Sequence, residues 1–378
     1  MKGKRICIVF GTLGLGGAER QGILFARYLQ EHAGAQVEVC GLIGGPGRAA
    51  ELCDEYGIPW RIVPFEFSRI LPLTLFRMFR FILLLRKFRP DILLPYTMLA
   101  NVPCGIVWRM TGAKLCVWNQ RDEGIITTSS GMEKFSVQNT PLFISNSVKG
   151  KDFLAHKYNA DPSQIYLVRN GIELQTPTVD RSTLRSEYGF DEKTLLACMV
   201  GNLHVNKDHE TLLRAWKKVI EQTDRDNKKA VLLLAGQFGS TYESLRQLVE
   251  ALGIAKQVRF LGKVDDITSL LFATDVFVLS SLSEGCPNAV IEAMSAGLAV
   301  AGTDIPGIRE VVGEDGIALL SPPSDNETLA RNILQLFSNE GLRARAKKQN
   351  IQRVGNEFSL AKMCTKTADI LALGYPNN

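Results

Sequence analysis

The sequence has no CxxC pair, only four histidines, and no apolar run near the roughly 20 residues that span a bilayer. Its eight cysteines are scattered over 378 residues, the pattern of reduced thiols in a cytosol rather than of a disulfide frame. His32, His156, His204 and His209 never stand with cysteine or carboxylate at metal-ligand spacing, which argues against a structural zinc site. The start of the chain lacks a charged n-region, a short apolar core and a small-residue cleavage site, so export is not expected. Acid is missing from one segment in particular. Residues 69–90, "RILPLTLFRMFRFILLLRKFRP", carry Arg69, Arg77, Arg80, Arg86, Lys87 and Arg89 and no Asp or Glu. That is six positive charges in a chain of net charge +5, so the remainder sums to −1. The basic balance is one patch. Nucleic-acid binding, which would spread basic residues over a face interleaved with stacking aromatics, is not expected.

What is present is the composition of a soluble globular protein, 46% hydrophobic and 22% charged, in a chain long enough for two domains. Short apolar runs alternate with helical stretches. "RICIVF", "QVEVCGLI", "DILLPY", "AKLCVWNQ" and "PLFISNS" read as strands, with "LTLFRMFRFILLLRKF" among the helices between them. The polar, proline-containing stretch "YLVRNGIELQTPTVDRS" reads as a linker. The rhythm then restarts with "TLLACMVG", "AVLLLAG", "QVRFLG", "VFVLS", "LAVAGT" and "GIALLSP". In this half, Ser240-x-x-Glu243 has capping-box spacing, Pro287 suits a first helical position, Gly297 suits the position after a last turn, and Asp325 suits an N-cap. The expectation is α/β, two doubly wound parallel-sheet domains: 1–170, 171–360, and a C-terminal helix over 361–378 packing back toward the first. Ligands of such sheets sit beyond the carboxyl ends of the strands, and a cleft between two such halves is the expected site.

Within "SLSEGCPNAVIEAMSAGLAVAGTDIPGIREVV", Glu284 and Glu292 stand eight positions apart, the first in a loop and the second more than a turn into a helix. That helix's start directs backbone N–H groups and a partial positive charge at the loop, and Gly285 permits close approach. An anion flanked by two carboxylates that accept hydrogen bonds from vicinal hydroxyls describes a sugar nucleotide. The same glutamates read equally as a solvated loop carboxylate and an exposed helix residue. In "VGNLHVNKDHETLL", Lys207 lies between a strand and a helix, where an ammonium neutralises a diphosphate or is simply solvated. "GTLGLGGAER" is glycine-rich after the first strand, but as GxGxxG it fails, with Glu19 at the third glycine position, and "QVEVCGLI" ends in no acid for a ribose hydroxyl. That argues against NAD.

Five segments together resemble the family-4, GT-B-fold retaining glycosyltransferases of group 1: "GLGGAER", "VRNGIE", "VGNLHVNKDHETLLRAW", the long stretch ending "GTDIPGIREVV", and "GIALLSPPSD". The resemblance implies two Rossmann-like domains facing across a cleft. It implies a metal-independent hexosyltransferase with no cofactor beyond the nucleotide-sugar donor, a UDP-sugar ahead of a GDP-sugar. It places Glu284 at the donor sugar, Glu292 at the nucleotide ribose, Lys207 at the diphosphate, and Gly16 and Gly17 in a loop closing on the phosphates. Amides around Gly285, Cys286 and Asn288 would complete the anion site; Pro287 has no N–H to give. The acceptor would be a glycan or a lipid-linked saccharide, in polysaccharide or glycoconjugate biosynthesis.

Two positions depart from the family's pattern. Asn202 stands where many members carry an arginine, leaving Arg169, Arg121 or His204 to supply charge. No histidine occupies a strand end in the first half; "VWNQRDEG" offers Asn119, Arg121, Asp122 and Glu123 instead. Asp122 could orient an acceptor hydroxyl and Arg121 meet donor phosphate or an anionic acceptor, or the two could form a buried ion pair tying the loop. Asp224-Arg225-Asp226 reads as surface. Residues 69–90 are read both as a crossover helix packed on a sheet and as a docking segment for an anionic membrane surface, giving a cytoplasmic protein with peripheral attachment. A nucleotide-sugar epimerase of the same fold and a non-catalytic nucleotide-sugar-binding subunit are the alternatives.

Overall fold

Alternate residues of the first strand divide between two cores. Ile6, Ile8 and Phe10 pack with Ile23, Phe25 and Leu29, while Cys7 and Val9 pack with Phe81, Leu85 and Val107. A strand buried on both faces belongs in the middle of a parallel sheet. The computed structural model describes residues 1–124 and 131–376. In it this strand, β1 (Arg5–Thr12), pairs in parallel with β2 (Gln36–Ile43) on one side and β4 (Ile92–Pro95) on the other. With β3 (Trp60–Ile62), β5 (Leu115–Gln120), β6 (Leu142–Ser145) and β7 (Ile165–Leu167) it forms a seven-stranded sheet in the order β3-β2-β1-β4-β5-β6-β7. The order reverses between β1 and β4, so their carboxyl ends flank the topological switch point.

The chain forms two compact units, one of residues 1–171 together with the segment from Leu360 on, the other of Ile172–Ser359. The helix Leu360–Gly374 lends Met363, Cys364, Ile370 and Leu371 to the core of the first unit. The second unit holds a six-stranded parallel sheet, β8 (Leu195–Val200), β9 (Ala230–Ala235), β10 (Val258–Gly262), β11 (Val276–Leu279), β12 (Ala299–Thr303) and β13 (Leu320–Ser321), in the order β10-β9-β8-β11-β12-β13. Here too one strand serves two cores: Ala197 and Met199 face Leu213 and Trp216, Leu196 and Cys198 face Leu270. The helix His209–Arg225 buries Leu212, Leu213, Trp216, Val219 and Ile220, the 3–4 spacing of one helical stripe.

Local readings meet the structure unevenly. Asp325 caps its helix, accepting from the amides of Glu327 and Thr328 at 3.1 and 3.0 Å. Gly297 takes φ +80 after the helix Asn288–Ser295, a conformation that favours glycine. Pro287 is the N-cap rather than the first helical residue: its backbone is extended, and helix dihedrals begin at Asn288. The Ser240–Glu243 capping box does not form. The helix Tyr242–Ala251 starts from Thr241, which makes no side-chain cap. Its start is set by the preceding loop, which lies so close to residues 201–203 that a Cβ on Gly239 would fall 2.3 Å from the Leu203 carbonyl oxygen. The linker is shorter than its composition suggests, since β7 takes Ile165–Leu167 and Asp180 caps a helix at Arg181–Glu187 through the Thr183 amide. "GIALLSP" yields only the two-residue β13, because Gly316 and Ile317 close a helical turn. Asp224, Arg225 and Asp226 are exposed. The eight cysteines are free and buried. Among the described residues no helix is long and apolar enough to cross a membrane.

Candidate functional site

Two loops at the carboxyl ends of β8 and β11 build the site in the second unit. After β8 the chain passes Gly201 and Asn202 under the β9 loop, where a Cβ on Gly236 would fall 2.0 Å from the Gly201 carbonyl oxygen. Asn202 Oδ1 accepts from the Gln237 amide at 3.0 Å, so this side chain is engaged in holding the two loops together. A 3₁₀ turn, Val205–Lys207, then leads into the helix His209–Arg225. After β11, Ser280 Oγ donates to the carbonyls of Lys207 and Asp208, both at 3.0 Å, and the Leu282 amide donates to the Asn206 carbonyl at 2.8 Å. These bonds fix Lys207 against the loop that carries Glu284.

The two residues meet. Lys207 Nζ donates to Glu284 Oε1, although 77 positions separate them in sequence, and Ser281 Oγ donates to the same oxygen at 2.6 Å. The Lys207 stem lies over Gly201, which has no side chain to displace it. Glu284 in turn rests on a second loop: a Cβ on Gly307 would fall 2.0 Å from the Glu284 carbonyl oxygen and 2.7 Å from that of Gly285. Gly285 and Cys286 are buried, and beyond Pro287 the helix Asn288–Ser295 begins without a side-chain cap. Such an end presents backbone donors and the positive pole of the helix dipole. Glu292 is its fifth residue and is partly exposed. An ammonium, a helix start and two carboxylates thus share one edge of the sheet, a set suited to a phosphorylated, hydroxyl-bearing ligand.

Beneath this set lies His209, 2% exposed, whose Nδ1 has no hydrogen-bond partner. Burial and the charge of Lys207 push its imidazole down to about 4, so it is neutral at physiological pH. Asp208 before it holds φ +44, in the left-handed region, and caps the helix through the Thr211 amide at 3.3 Å. His204 is exposed, its Nδ1 accepting from the Asn206 amide at 3.4 Å.

In the first unit, Gly16 and Gly17 stand where β1 gives way to the helix Gly17–Glu31. The Gly16 amide donates to Glu19 Oε2 at 3.1 Å, so the carboxylate of this helix's first turn already occupies that donor. Arg121 and Asp122 do not pair. Asp122 Oδ1 instead accepts from Gln120 Nε2 at 2.9 Å and from the Gly124 amide at 2.6 Å, a local turn that turns its carboxylate from Arg121. Arg121 is buried over the Tyr96 ring, 4.6 Å from its centroid, and donates to Asn119 and Asn170.

Residues 71–88 form one helix, Leu71–Phe88, with two faces. Phe81 and Leu85 are buried against the sheet, the crossover role, and Thr74 is buried where its hydroxyl bonds the Ser68 backbone at 2.9 Å. On the opposite face Leu75, Phe76, Phe79 and Leu83 are 42–59% exposed, unusual for large apolar side chains in one row. Arg77 and Arg80 line a cleft of about 280 Å³ together with Ile43 and Glu66.

Ser281, Gly307 and His209 complete the second-unit set and were not singled out in the sequence. Ser281 stands three positions before Glu284, and Gly307 follows Pro306 in "GTDIPGIREVV", but neither spacing signals a contact. No group of three His, Cys, Asp or Glu side chains that could hold a metal ion comes together among the described residues.

Two Rossmann-like parallel-sheet units of this kind define a GT-B glycosyltransferase fold. The fold is matched by a crystal structure of HepE from Anabaena in complex with UDP, with TM-score 0.83 at 19% identity over 99% of this chain and all of that one. Two family profiles lie end to end along the sequence, Glycosyltransferase Family 4 over residues 15–176 and Glycosyl transferases group 1 over residues 180–353. The chain belongs to the group 1 glycosyltransferases. It is 28% identical over 246 residues to D-inositol 3-phosphate glycosyltransferase of Corynebacterium efficiens, covering 63% of this chain and 58% of that protein. It is 29% identical over 187 residues to N-acetyl-alpha-D-glucosaminyl L-malate synthase of Bacillus anthracis, covering 50% and 48%. The chain thus spans about half the length of these curated relatives. A third, UDP-Gal:alpha-D-GlcNAc-diphosphoundecaprenol alpha-1,3-galactosyltransferase of Escherichia coli, is 25% identical over 276 residues, covering 72% and 70%.

Proposed function

We propose that the protein is a retaining glycosyltransferase that moves a hexosyl group from a UDP-sugar to a hydroxyl of a glycan or lipid-linked acceptor. The observation that carries this reading is the convergence of Lys207, Glu284 and the start of the helix Asn288–Ser295 at one sheet edge. The UDP-bound HepE structure and the UDP-galactose-dependent relative favour UDP. In the resting protein Lys207 and Glu284 neutralise one another. An incoming diphosphate would take the ammonium, and the freed carboxylate, still held by Ser281, would accept from hydroxyls of the donor sugar. Glu292 would do the same for the ribose. As the anomeric C–O bond breaks, negative charge gathers on the leaving diphosphate, where Lys207 and the amides of Gly285, Cys286 and Asn288 would receive it. Preorganised donors of this kind are worth about 3 kcal/mol each in the transition state. The acceptor oxygen bonds the anomeric carbon from the same face, and its proton passes to the leaving phosphate, so no separate base is required. No metal is invoked. Asn202 would act through the loop it holds.

The exposed apolar row of the helix Leu71–Phe88, flanked on one side by Arg80 and Lys87, would dock on an anionic membrane surface. Turnover of a panel of UDP- and GDP-sugars tests the main reading. We expect transfer or hydrolysis with a UDP-sugar, and a loss of 100-fold or more, about 3 kcal/mol, in Lys207→Ala and Glu292→Ala proteins that keep the wild-type circular dichroism. Near-wild-type turnover in both would overturn it.

A further inference from the structure

Among the described residues, one buried cation of the first unit, Arg121, is bonded only to neutral side chains. Arg121 directly follows β5, is 9% exposed, and makes two hydrogen bonds, Nη1 to Asn170 Oδ1 at 3.2 Å and Nη2 to Asn119 Oδ1 at 3.0 Å. Both acceptors are neutral amides. A guanidinium has five N–H donors, and here Nε is buried with no hydrogen-bond partner among the described residues. The acids next to it in sequence are engaged elsewhere, Asp122 with Gln120 and Gly124, Glu123 with Lys149 at 2.9 Å. Around it sit further unsatisfied polar atoms. Tyr96, directly after β4, stacks under the guanidinium, whose charge partly offsets the upward push that burial gives the Tyr96 hydroxyl, and that buried hydroxyl makes no well-formed hydrogen bond among the described residues. Asn146, directly after β6, donates to the Arg121 carbonyl at 3.3 Å and leaves its buried Oδ1 unmatched. Thr97, beside Tyr96, holds φ +67, rare for a β-branched residue. These groups stand after three neighbouring strands of one parallel sheet, at the edge where such sheets bind ligands.

A buried charge is normally paired, and a buried polar atom is normally bonded; several exceptions in one place call for an absent partner. A structural clamp accounts for the two bonds to Asn119 and Asn170. It does not account for a charged group held from water with its Nε unmatched, because a neutral side chain could tie the same amides at lower desolvation cost.

We propose that Arg121, with the Tyr96 hydroxyl, binds an anionic group of the acceptor, a phosphate or a carboxylate, so that the acceptor of this enzyme is an acid. The inference rests on the glycosyl-transfer reading and narrows it to an acceptor class. Arg121 is then a binding residue that anchors the acceptor by its charge, and sugar transfer takes place at a hydroxyl elsewhere on the same molecule.

The test uses the full chain and two probes, inorganic phosphate and pyrophosphate, titrated calorimetrically. It is done in a Lys207→Ala background so that the second-unit anion site contributes little. We expect that background to bind at least one probe, and the added Arg121→Met change to weaken it by ~10-fold or more, the scale of a charge-assisted hydrogen bond. Arg121→Met alone should melt no lower than wild type without anion, since it removes an unpaired buried charge, and should bind UDP-glucose with unchanged affinity. Equal probe affinity with and without Arg121, or no binding to the Lys207→Ala background, would overturn the proposal. So would a lowered melting point as the sole effect of the change, or loss of UDP-glucose binding. Failure of the donor reading shows differently: UDP would then bind Lys207→Ala protein as well as wild type, whatever the Arg121 result.

Discussion

The buried imidazole beneath the donor loops makes the second unit sensitive to acid in a calculable way. His209 is 2% exposed, and burial together with Lys207 pushes it down to about 4 from an ordinary 6.5. A folded-state value below the unfolded one means that the unfolded chain takes up the proton first. The neutral histidine therefore costs nothing above pH 6.5, and stability is lost as pH falls from about 6.5 toward 4. At pH 5 the unfolded chain has gained close to one proton and the folded chain about a tenth of one. With 1.36 kcal/mol per unit, the difference comes to about 2 kcal/mol. His209→Leu removes the titrating group at similar volume. Urea unfolding followed by fluorescence, with Trp216 buried in the same helix, gives the two proteins' stabilities between pH 7.5 and 5. Whatever packing cost the leucine carries is constant with pH. The variant should gain about 2 kcal/mol on wild type between pH 7.5 and 5. A difference that does not change with pH would refute the claim that a neutral imidazole is trapped under Lys207.

Gly307→Ala places a methyl group 2.0 Å from the Glu284 carbonyl oxygen, which backbone must move to accommodate. It should destabilise the protein by about 1–3 kcal/mol in urea unfolding and weaken UDP binding, whereas unchanged stability would show that the Glu284 loop does not rest on this glycine. On vesicles of anionic lipid, Phe76→Ser with Phe79→Ser should abolish cosedimentation. Arg80→Gln with Lys87→Gln should reduce it by more than tenfold at about 1 kcal/mol per charge, and sedimentation unaffected by either pair would remove the docking helix from the account.

The strands and the E-x7-E segment were legible in the sequence because each is a local pattern. Continuous apolar runs mark strands buried on both faces, as in β1 and β11, and a proline before a small-residue helix marks its start to within one position. Short strands were not legible: β3 and β7 have three residues each, and their partly exposed edge positions carry no alternation. The site was legible as residue types but not as contacts. Nothing near Lys207 in sequence points to Glu284, and their pairing depends on Ser280 tying the β8 and β11 loops together. Gly307 looks like any glycine after a proline until the carbonyls of Glu284 and Gly285 are seen against it. The sequence also offered Arg121 and Asp122 as a possible pair. It took the turn at Gly124, which draws Asp122 away, to leave the guanidinium with two neutral amides and the Tyr96 ring.

The central claim is that the donor diphosphate is held by the Lys207 ammonium and the amides at the start of the helix Asn288–Ser295 without a divalent ion. Calorimetric titration of UDP-glucose in EDTA tests it most directly. Wild type should bind, and Lys207→Ala should bind 10- to 100-fold more weakly, on the scale of about 1.5–3 kcal/mol for a charge-assisted hydrogen bond. Binding that appears only when magnesium is added, or affinity untouched by the loss of Lys207, would contradict the account.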